Sequence, residues 1–315
     1  MENWRNEGIV LSPVVNNPAH MLYTKNICER PRVLYNKSTK QFVMYTHADT
    51  ADYYYAGVNV AVAASPTGPF VWLKSFQPNR QDSRDMTLFQ DLDGSAWLIH
   101  SANYNKTMNI ARLSDDYLDV TGSYISIFQD QEREAPAIMY SHNRYYMITS
   151  GCSGWEPNPS LYGICDHLIG PWKLIDNPCT GPAYRTTFDG QGTCIFFVQN
   201  QPYVLLDHWH PDDLRSSAYS MLPIQILDNG GLKIEWQDET FFTNSKRREE
   251  PHKGLSLLIF IYCSNDIFHL TLPLRYQCFD QAADPHPLHN PLIKPNPAKE
   301  ESSCRLPLWH SHTER

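Results

Sequence analysis

None of the chain's eight cysteines falls in a Cys-x-x-Cys pair, so the ligand spacing of a structural zinc site is missing. Disulfides stay open for an oxidising compartment, but their pairing cannot be read from the spacing. A basic stripe is missing too. The 26 Lys and Arg face 34 Asp and Glu, a net charge of −8, which argues against a nucleic-acid partner held through phosphate contacts. The one basic cluster, Lys246-Arg247-Arg248, reads as a solvated turn. No apolar stretch nears the roughly 20 residues of a membrane-spanning helix. The longest, Leu255–Cys263, has nine, so no membrane is expected. Glu2, Asn3, Arg5, Asn6 and Glu7 interrupt any apolar stretch behind Met1, so no signal peptide is read and location is left open. Helical periodicity is almost absent, which leaves an all-β fold.

What the chain does hold is aromatic rings and a repeat. With 18 Tyr and 8 Trp, the rings suit half-buried strands, and any ring left exposed in a cleft can stack on a sugar face. Four segments share one layout: a polar residue, a short apolar strand, a turn and a second apolar strand. Glu29-Arg-Pro-Arg-Val-Leu-Tyr returns as Phe42-Val-Met-Tyr, and Asp85-Met-Thr-Leu-Phe as Ala96-Trp-Leu-Ile. Glu134-Ala-Pro-Ala-Ile-Met-Tyr returns as Tyr145-Tyr-Met-Ile, and Gln191-Gly-Thr-Cys-Ile-Phe-Phe-Val as Tyr203-Val-Leu-Leu. The leading residues are 56, 49 and 57 positions apart, and each unit continues into a third strand and a turn toward a fourth. Four strands per unit of about fifty residues is the blade of a β-propeller.

The repeat also places the chemistry. The first strand of every blade lines the central axis, so Glu29, Asp85, Glu134 and Gln191 converge at one mouth of the channel. A plain structural explanation exists for each acid, as a partner of its neighbour Arg30, Arg84 or Arg133. Three acids in one register favour the functional one. Carboxylates held close resist ionising together, so one of them is raised toward neutral pH and can act as a general acid. An acid of that kind opposite a base or nucleophile is the arrangement that cleaves a glycosidic bond.

Successive motifs make the resemblance specific. Glu29-Arg-Pro-Arg-Val-Leu-Tyr-Asn, Ser83-Arg-Asp-Met-Thr-Leu-Phe, Arg133-Glu-Ala-Pro-Ala-Ile, Thr149-Ser-Gly-Cys-Ser-Gly-Trp-Glu-Pro-Asn-Pro and Thr187-Phe-Asp-Gly-Gln-Gly-Thr occur in this order. Asp207-His-Trp and Ser217-Ala-Tyr-Ser-Met-Leu-Pro-Ile follow them. Over roughly residues 4 to 240 the chain resembles the exo-β-1,3-galactanase branch of glycoside hydrolase family 43. The resemblance implies a five-bladed β-propeller that removes galactose from a polysaccharide or oligosaccharide by an inverting mechanism. Carried over, it makes Glu134 the general acid and Asp85 the residue that orients it and tunes its pKa. Gln191 falls in the slot of the catalytic base, where a neutral amide could only position water or act as an imidic acid. Its plain alternative is a hydrogen bond to a sugar hydroxyl. Glu29 would hold hydroxyls of the terminal sugar, and Trp155 would stack on it. Trp209 and Tyr162 are further substrate-binding candidates that packing explains as well, and Glu132 has no assigned role.

Two departures from the family pattern stand out. Residues 2–11 resemble only the outer strand of the first blade, so that blade is expected to be incomplete and the propeller to occupy residues 1–244. Residues 245–315 read as an irregular tail: six of the 13 His and eight of the 23 Pro fall in 246–315, and no Gly follows Gly254. The histidines there fit no metal-ligand spacing. No cofactor is expected, and although propellers of this family sometimes hold calcium on the axis, no residue commits to one. Asn36-Lys-Ser and Asn105-Lys-Thr are glycosylation triplets, in keeping with the family's usual secretion. The alternative functions are a non-catalytic sugar-binding propeller, another family 43 activity such as arabinofuranosidase or xylosidase, and a protein-interaction propeller.

Overall fold

A computed structural model describes residues 5–240 apart from 199, together with strands at 257–263 and 266–272. Among the described residues the fold is all-β, a propeller with four blades, and the five blades implied by the resemblance are not all seen there. The first of these four is β2 (Ile27–Asn36), β3 (Gln41–Asp49), β4 (Gly57–Ala63) and β5 (Val71–Phe76), and it follows β1 (Arg5–Leu11), the strand expected to belong to an incomplete blade. The second is β6 (Met86–Gln90), β7 (Ala96–Ala102), β8 (Thr107–Leu113) and β9 (Val120–Ile127). The third is β10 (Arg133–Ser141), β11 (Arg144–Gly151), β12 (Leu161–Cys165) and β13 (Lys173–Leu174). After β14 (Cys179–Thr180), the fourth is β15 (Gln191–Val198), β16 (Gln201–His208), β17 (Ala218–Ile226) and β18 (Leu232–Glu235). All strands within a blade are antiparallel neighbours, and β14 adds to the outer edge of the fourth as a parallel strand.

The blades hold together through the two-residue period of their strands. On β3, Val43 and Tyr45 face the second blade and pack with Met86, Leu88 and Leu98. Met44, between them, faces the other way onto Val10, Leu11, Leu22 and Phe70. Blades two and three meet through Ile99, Met108 and Ile110 against Ile138, Tyr145 and Met147. Blades three and four meet through Tyr146, Ile148 and Tyr162 against Val204, Leu206, Leu222 and Ile224. Burying each such side chain contributes roughly 1.5–3 kcal/mol to stability.

Within the segment expected to be an irregular tail, the structure has a hairpin, β19 (Leu257–Cys263) and β20 (Asp266–Leu272). β20 pairs antiparallel with β1, giving a three-stranded sheet whose β19 lies alongside β2. Two runs of β-branched, aromatic and other apolar residues separated by two residues are a hairpin signal, and the Pro- and His-rich surroundings obscured it. The rest of the expected tail lies outside the described residues.

Candidate active site

The inner strands reach the mouth of the channel through one recurring device. β2, β10 and β15 each carry a register break one to three residues after their leading polar residue, between Glu29 and Arg32, Glu134 and Ala137, and Gly192 and Cys194. In the first two a proline, Pro31 or Pro136, sits inside the break, where its missing N–H costs no ladder bond. Arg30 and Ala135, just before these prolines, have φ of 53° and 50°, a left-handed backbone that costs of order 1–3 kcal/mol each. Bulges of this kind re-aim side chains, and here neighbours that would point to opposite faces both become usable at the mouth.

Arg30 is the centre of what results. Its side chain is buried, with Nε donating to Asp85 Oδ1 and Nη2 to Asp85 Oδ2, both at 3.1 Å, a forked contact across to the second blade. Nη1 donates to Asp207 Oδ2 at 2.9 Å and to the Gly192 carbonyl at 3.3 Å, both in the fourth blade. Nη2 also donates to Gln191 Oε1. Its guanidinium stands 5.6 Å from the Trp209 ring centre. Arg32 crosses the same space, donating to Thr87 Oγ1 and to Thr193 Oγ1. Burial opposes the charge on Arg30, but Asp85 and Asp207 outweigh it and raise its pKa. The acids therefore do not pair with their sequence neighbours: Arg133 donates to Thr149 instead, and Arg84 leans toward Asp49 and Asp82.

Glu134 and Gln191 meet directly. Gln191 Nε2 donates to Glu134 Oε1 at 3.1 Å and to Ser150 Oγ at 2.9 Å, while its Oε1 accepts from Trp209 Nε1 at 3.1 Å and from Arg30. Both Trp and Arg nitrogens only donate, so the amide has one orientation. Asn105 Nδ2 donates to the other acid oxygen, Oε2, at 3.1 Å. Burial pushes the Glu134 carboxyl up to about 7, and the charge of Asp85 adds to this against the opposing charge of Arg30. Asp85 also accepts from the Ala135 amide at 3.1 Å, tying it to the strand that carries the acid. Glu134 is thus protonated below neutral pH and able to deliver a proton to a bound leaving group.

On the other side of the mouth Glu29 accepts from Tyr53 Oη at 3.1 Å and faces His47. Trp155 is exposed at the rim and meets Trp209 edge-on, ring centres 5.7 Å apart. The structure therefore brings together Glu134, Asp85, Gln191, Trp209 and Trp155, with Glu29 linked to them through the adjacent Arg30. It does not bring Tyr162, which lies in the apolar interface of blades three and four because its place on β12 points it into that seam. Glu132 is exposed, and its carbonyl accepts from the Cys152 thiol at 3.2 Å. Burial and the charge of Glu134 push that thiol up to about 12, so Cys152 is no nucleophile.

Sequence reasoning missed Arg30, Asp207, Asn105, Ser150 and His47 as parts of the mouth. Arg30, Asp207 and Ser150 stood inside quoted motifs, and for Arg30 the signal was its adjacency to the leading Glu29. Asn105 and His47 come from a turn and a second strand, outside the repeat's polar slot. The glycosylation triplets look different in three dimensions. Asn36 is buried, its Nδ2 donating to the Asp115 carbonyl and its Oδ1 accepting from two amides, and Asn105 is bound to the acid. Neither amide is available for a glycan. Among the described residues no three His, Cys, Asp or Glu are grouped as a metal site, and the space between the inner strands holds two guanidinium groups, a poor donor set for calcium.

Comparison with known proteins points to one family. The profile of glycosyl hydrolases family 43 matches residues 16–239. A solved family 43 β-1,3-galactosidase in complex with galactodeoxynojirimycin is 37% identical with a TM-score of 0.72, over 75% of this chain and 83% of its own. The exo-β-1,3-galactanase of Phanerochaete chrysosporium with β-1,3-galactotriose is 32% identical, TM-score 0.66, over 71% of this chain and 51% of its own. The exo-β-1,3-galactanase of Clostridium thermocellum is 30% identical, TM-score 0.64, over 69% of this chain and 50% of its own. The chain thus spans about half the length of the last two. No curated protein matches it.

Proposed function

The chain belongs to family 43 of the glycosyl hydrolases, and from that premise we propose that it removes terminal galactose from β-1,3-linked galactan by an inverting mechanism. The observation that carries the reading is Glu134, a half-buried carboxyl raised to about 7 beside the charged pair of Asp85 and Arg30. In this reading Glu134 protonates the glycosidic oxygen as its bond to the anomeric carbon breaks, while water attacks that carbon from the opposite face and gives up its own proton to solvent, Gln191 being no base. Asp85, locked by the Arg30 fork and by the Ala135 amide, orients the acid and keeps a negative charge near it. Glu29 receives sugar hydroxyls, and Trp155 with Trp209 forms the apolar wall for the ring's C–H face.

Gln191 is the demanding part. Inverting enzymes separate acid and base by roughly 6.5–9.5 Å to admit the water, whereas Gln191 touches Glu134 at 3.1 Å. A neutral amide is not a base near pH 7. A sugar entering the mouth must take over the contact with Glu134 before Gln191 can position the water. The same contact favours a second reading, a propeller that binds terminal galactose without hydrolysing it.

The test is galactose release from β-1,3-galactan by the protein and by Glu134→Gln, with NMR identification of the first-formed anomer. Release of α-galactose by the parent alone supports the proposal, and β-galactose overturns inversion. Galactose binding without release moves the chain to the second reading. Release of arabinose or xylose from their polymers in place of galactose overturns the choice of sugar.

A further inference from the structure

His47 lies on β3 behind Glu29, away from solvent, with 2% of its surface exposed. Its Nδ1 is 3.3 Å from Glu29 Oε2, and its Nε2 is 3.3 Å from Asp49 Oδ2. A neutral imidazole has one N–H and can donate to only one of two carboxylates, leaving a lone pair against the other. Asp49 cannot relieve this by turning away, since it is fully buried and its Oδ1 accepts from the amides of Thr50 and Ala56, both at 2.9 Å. Two carboxylates facing opposite edges of one ring define a site for an imidazolium.

We propose that His47 is a positioning residue: as a buried imidazolium clamped between Glu29 and Asp49, it holds the Glu29 carboxylate toward the mouth, so that sugar binding depends on the charge of a residue the sugar does not touch. This rests on the reading of Glu29 as the acceptor of sugar hydroxyls. The clamp leaves Glu29 Oε1 to the Tyr53 hydroxyl and the ligand, and fixes Oε2 from behind. Without it, the carboxylate would keep one anchor and could rotate.

The surroundings agree. From β2 comes Glu29, from His47's own strand Asp49, and from the segment entering β6 Asp85, all three negative and favouring the charged ring. Arg84 opposes them weakly, its Nη1 standing 3.9 Å from Asp49 Oδ2. β4, paired on the other side, brings Val58 opposite and no titratable group. The Tyr53 ring centre is 6.2 Å away. Burial of the ring works against the charge, but the bonds to Asp49 and Glu29 lift His47 to about 9. Its folded pKa lies above the ordinary 6.5, so the clamp is fully charged below about 6.5 and is lost as pH rises through about 9.

The test pairs a direct titration with a binding profile. NMR of the His47 imidazole in the wild-type protein, assigned against His47→Gln, should give a midpoint well above neutral. Calorimetric titration with D-galactose should show constant affinity up to about pH 8 and a fall of about tenfold or more by pH 10, the scale of losing a hydrogen bond to a charged group. Tyr53→Phe should keep that alkaline loss, which separates the imidazole from the phenol. His47→Gln should bind weakly at neutral pH and lose the pH dependence. A midpoint at or below pH 6.5 overturns the imidazolium whatever the sugar. A high midpoint with galactose binding that is flat to pH 10 overturns the positioning role. No galactose binding at any pH, with a high midpoint, overturns the reading of the substrate and leaves the charged clamp standing.

Discussion

The seam between blades two and three and the mouth of the channel are built from the same strands in opposite materials. In the seam, Ile99, Met108 and Ile110 meet Ile138 and Met147 through apolar side chains. At the mouth, one residue entering each inner strand is polar, and a single guanidinium satisfies Asp85, Asp207 and Gln191 together. The seam gains free energy from every contact. The mouth spends it, on buried charge and on left-handed backbone at Arg30 and Ala135. A propeller separates these two requirements along one strand, because residues near its entry face the axis and the alternating residues after it face the neighbouring blades.

On the proposed role of Glu134 as proton donor, the largest effect comes from removing its proton while disturbing nothing else. Glu134→Gln should lower kcat on β-1,3-galactan by about 10²–10⁴-fold, the worth of a general acid, with little change in Tm. Loss of stability in parallel with activity would mean that Glu134 is a structural member of the mouth. The mirror experiment is Met147→Ala in the seam. It should cost about 2–5 kcal/mol of stability by denaturant unfolding while kcat/KM of the folded fraction stays near the parent's.

An intermediate case sits where the two materials meet. Arg30→Lys keeps the positive charge and loses the fork, which must leave one or more of Asp85, Asp207 and Gln191 without its donor. A cost of about 1–3 kcal/mol of stability is expected, along with a loss of activity that charge alone does not rescue. Stability and activity equal to the parent's would show that the guanidinium acts as a point charge, and the hub would lose its meaning.

How much of this was legible in the sequence follows from the same division. The blades were legible because strand, turn and strand recur with period-two apolar residues, and the turns between first and second strands fall where expected. Glu29, Asp85, Glu134 and Gln191 were legible because a repeat turns a one-dimensional spacing into a shared position. Arg30 was not, since nothing in Glu-Arg-Pro-Arg says that a bulge will put two successive residues to use and send the arginine across the channel. Asp207, His47 and Asn105 lie off the polar slot, where the repeat gives no register to read. Tyr162 stayed open between cleft and packing because an aromatic near a Trp-bearing loop looks the same whether it faces a cleft or a seam; its place in β12 puts it in the packing between blades. The β19–β20 hairpin was hidden by composition, its two apolar runs lying amid Pro- and His-rich sequence.

The smallest expected effect sharpens the comparison most, because it changes the acid without touching the charges around it. As the proposed general acid, Glu134 must be protonated to act, so kcat/KM should be high below about pH 7 and fall as pH rises through it. Asn105 Nδ2 donates to Glu134 Oε2, a bond that favours the ionised carboxylate, while Asn105 Oδ1 is buried without a partner. Asn105→Ala removes both the donor and the orphaned acceptor. The acid should then hold its proton to higher pH, and the alkaline limb of kcat/KM should move upward with stability nearly unchanged. A limb that moves downward would mean that Asn105 accepts from the protonated acid, its amide turned the other way, and that the proton is stabilised where the structure has it opposed. Profiles of kcat/KM against pH for the two proteins, measured side by side, decide the direction.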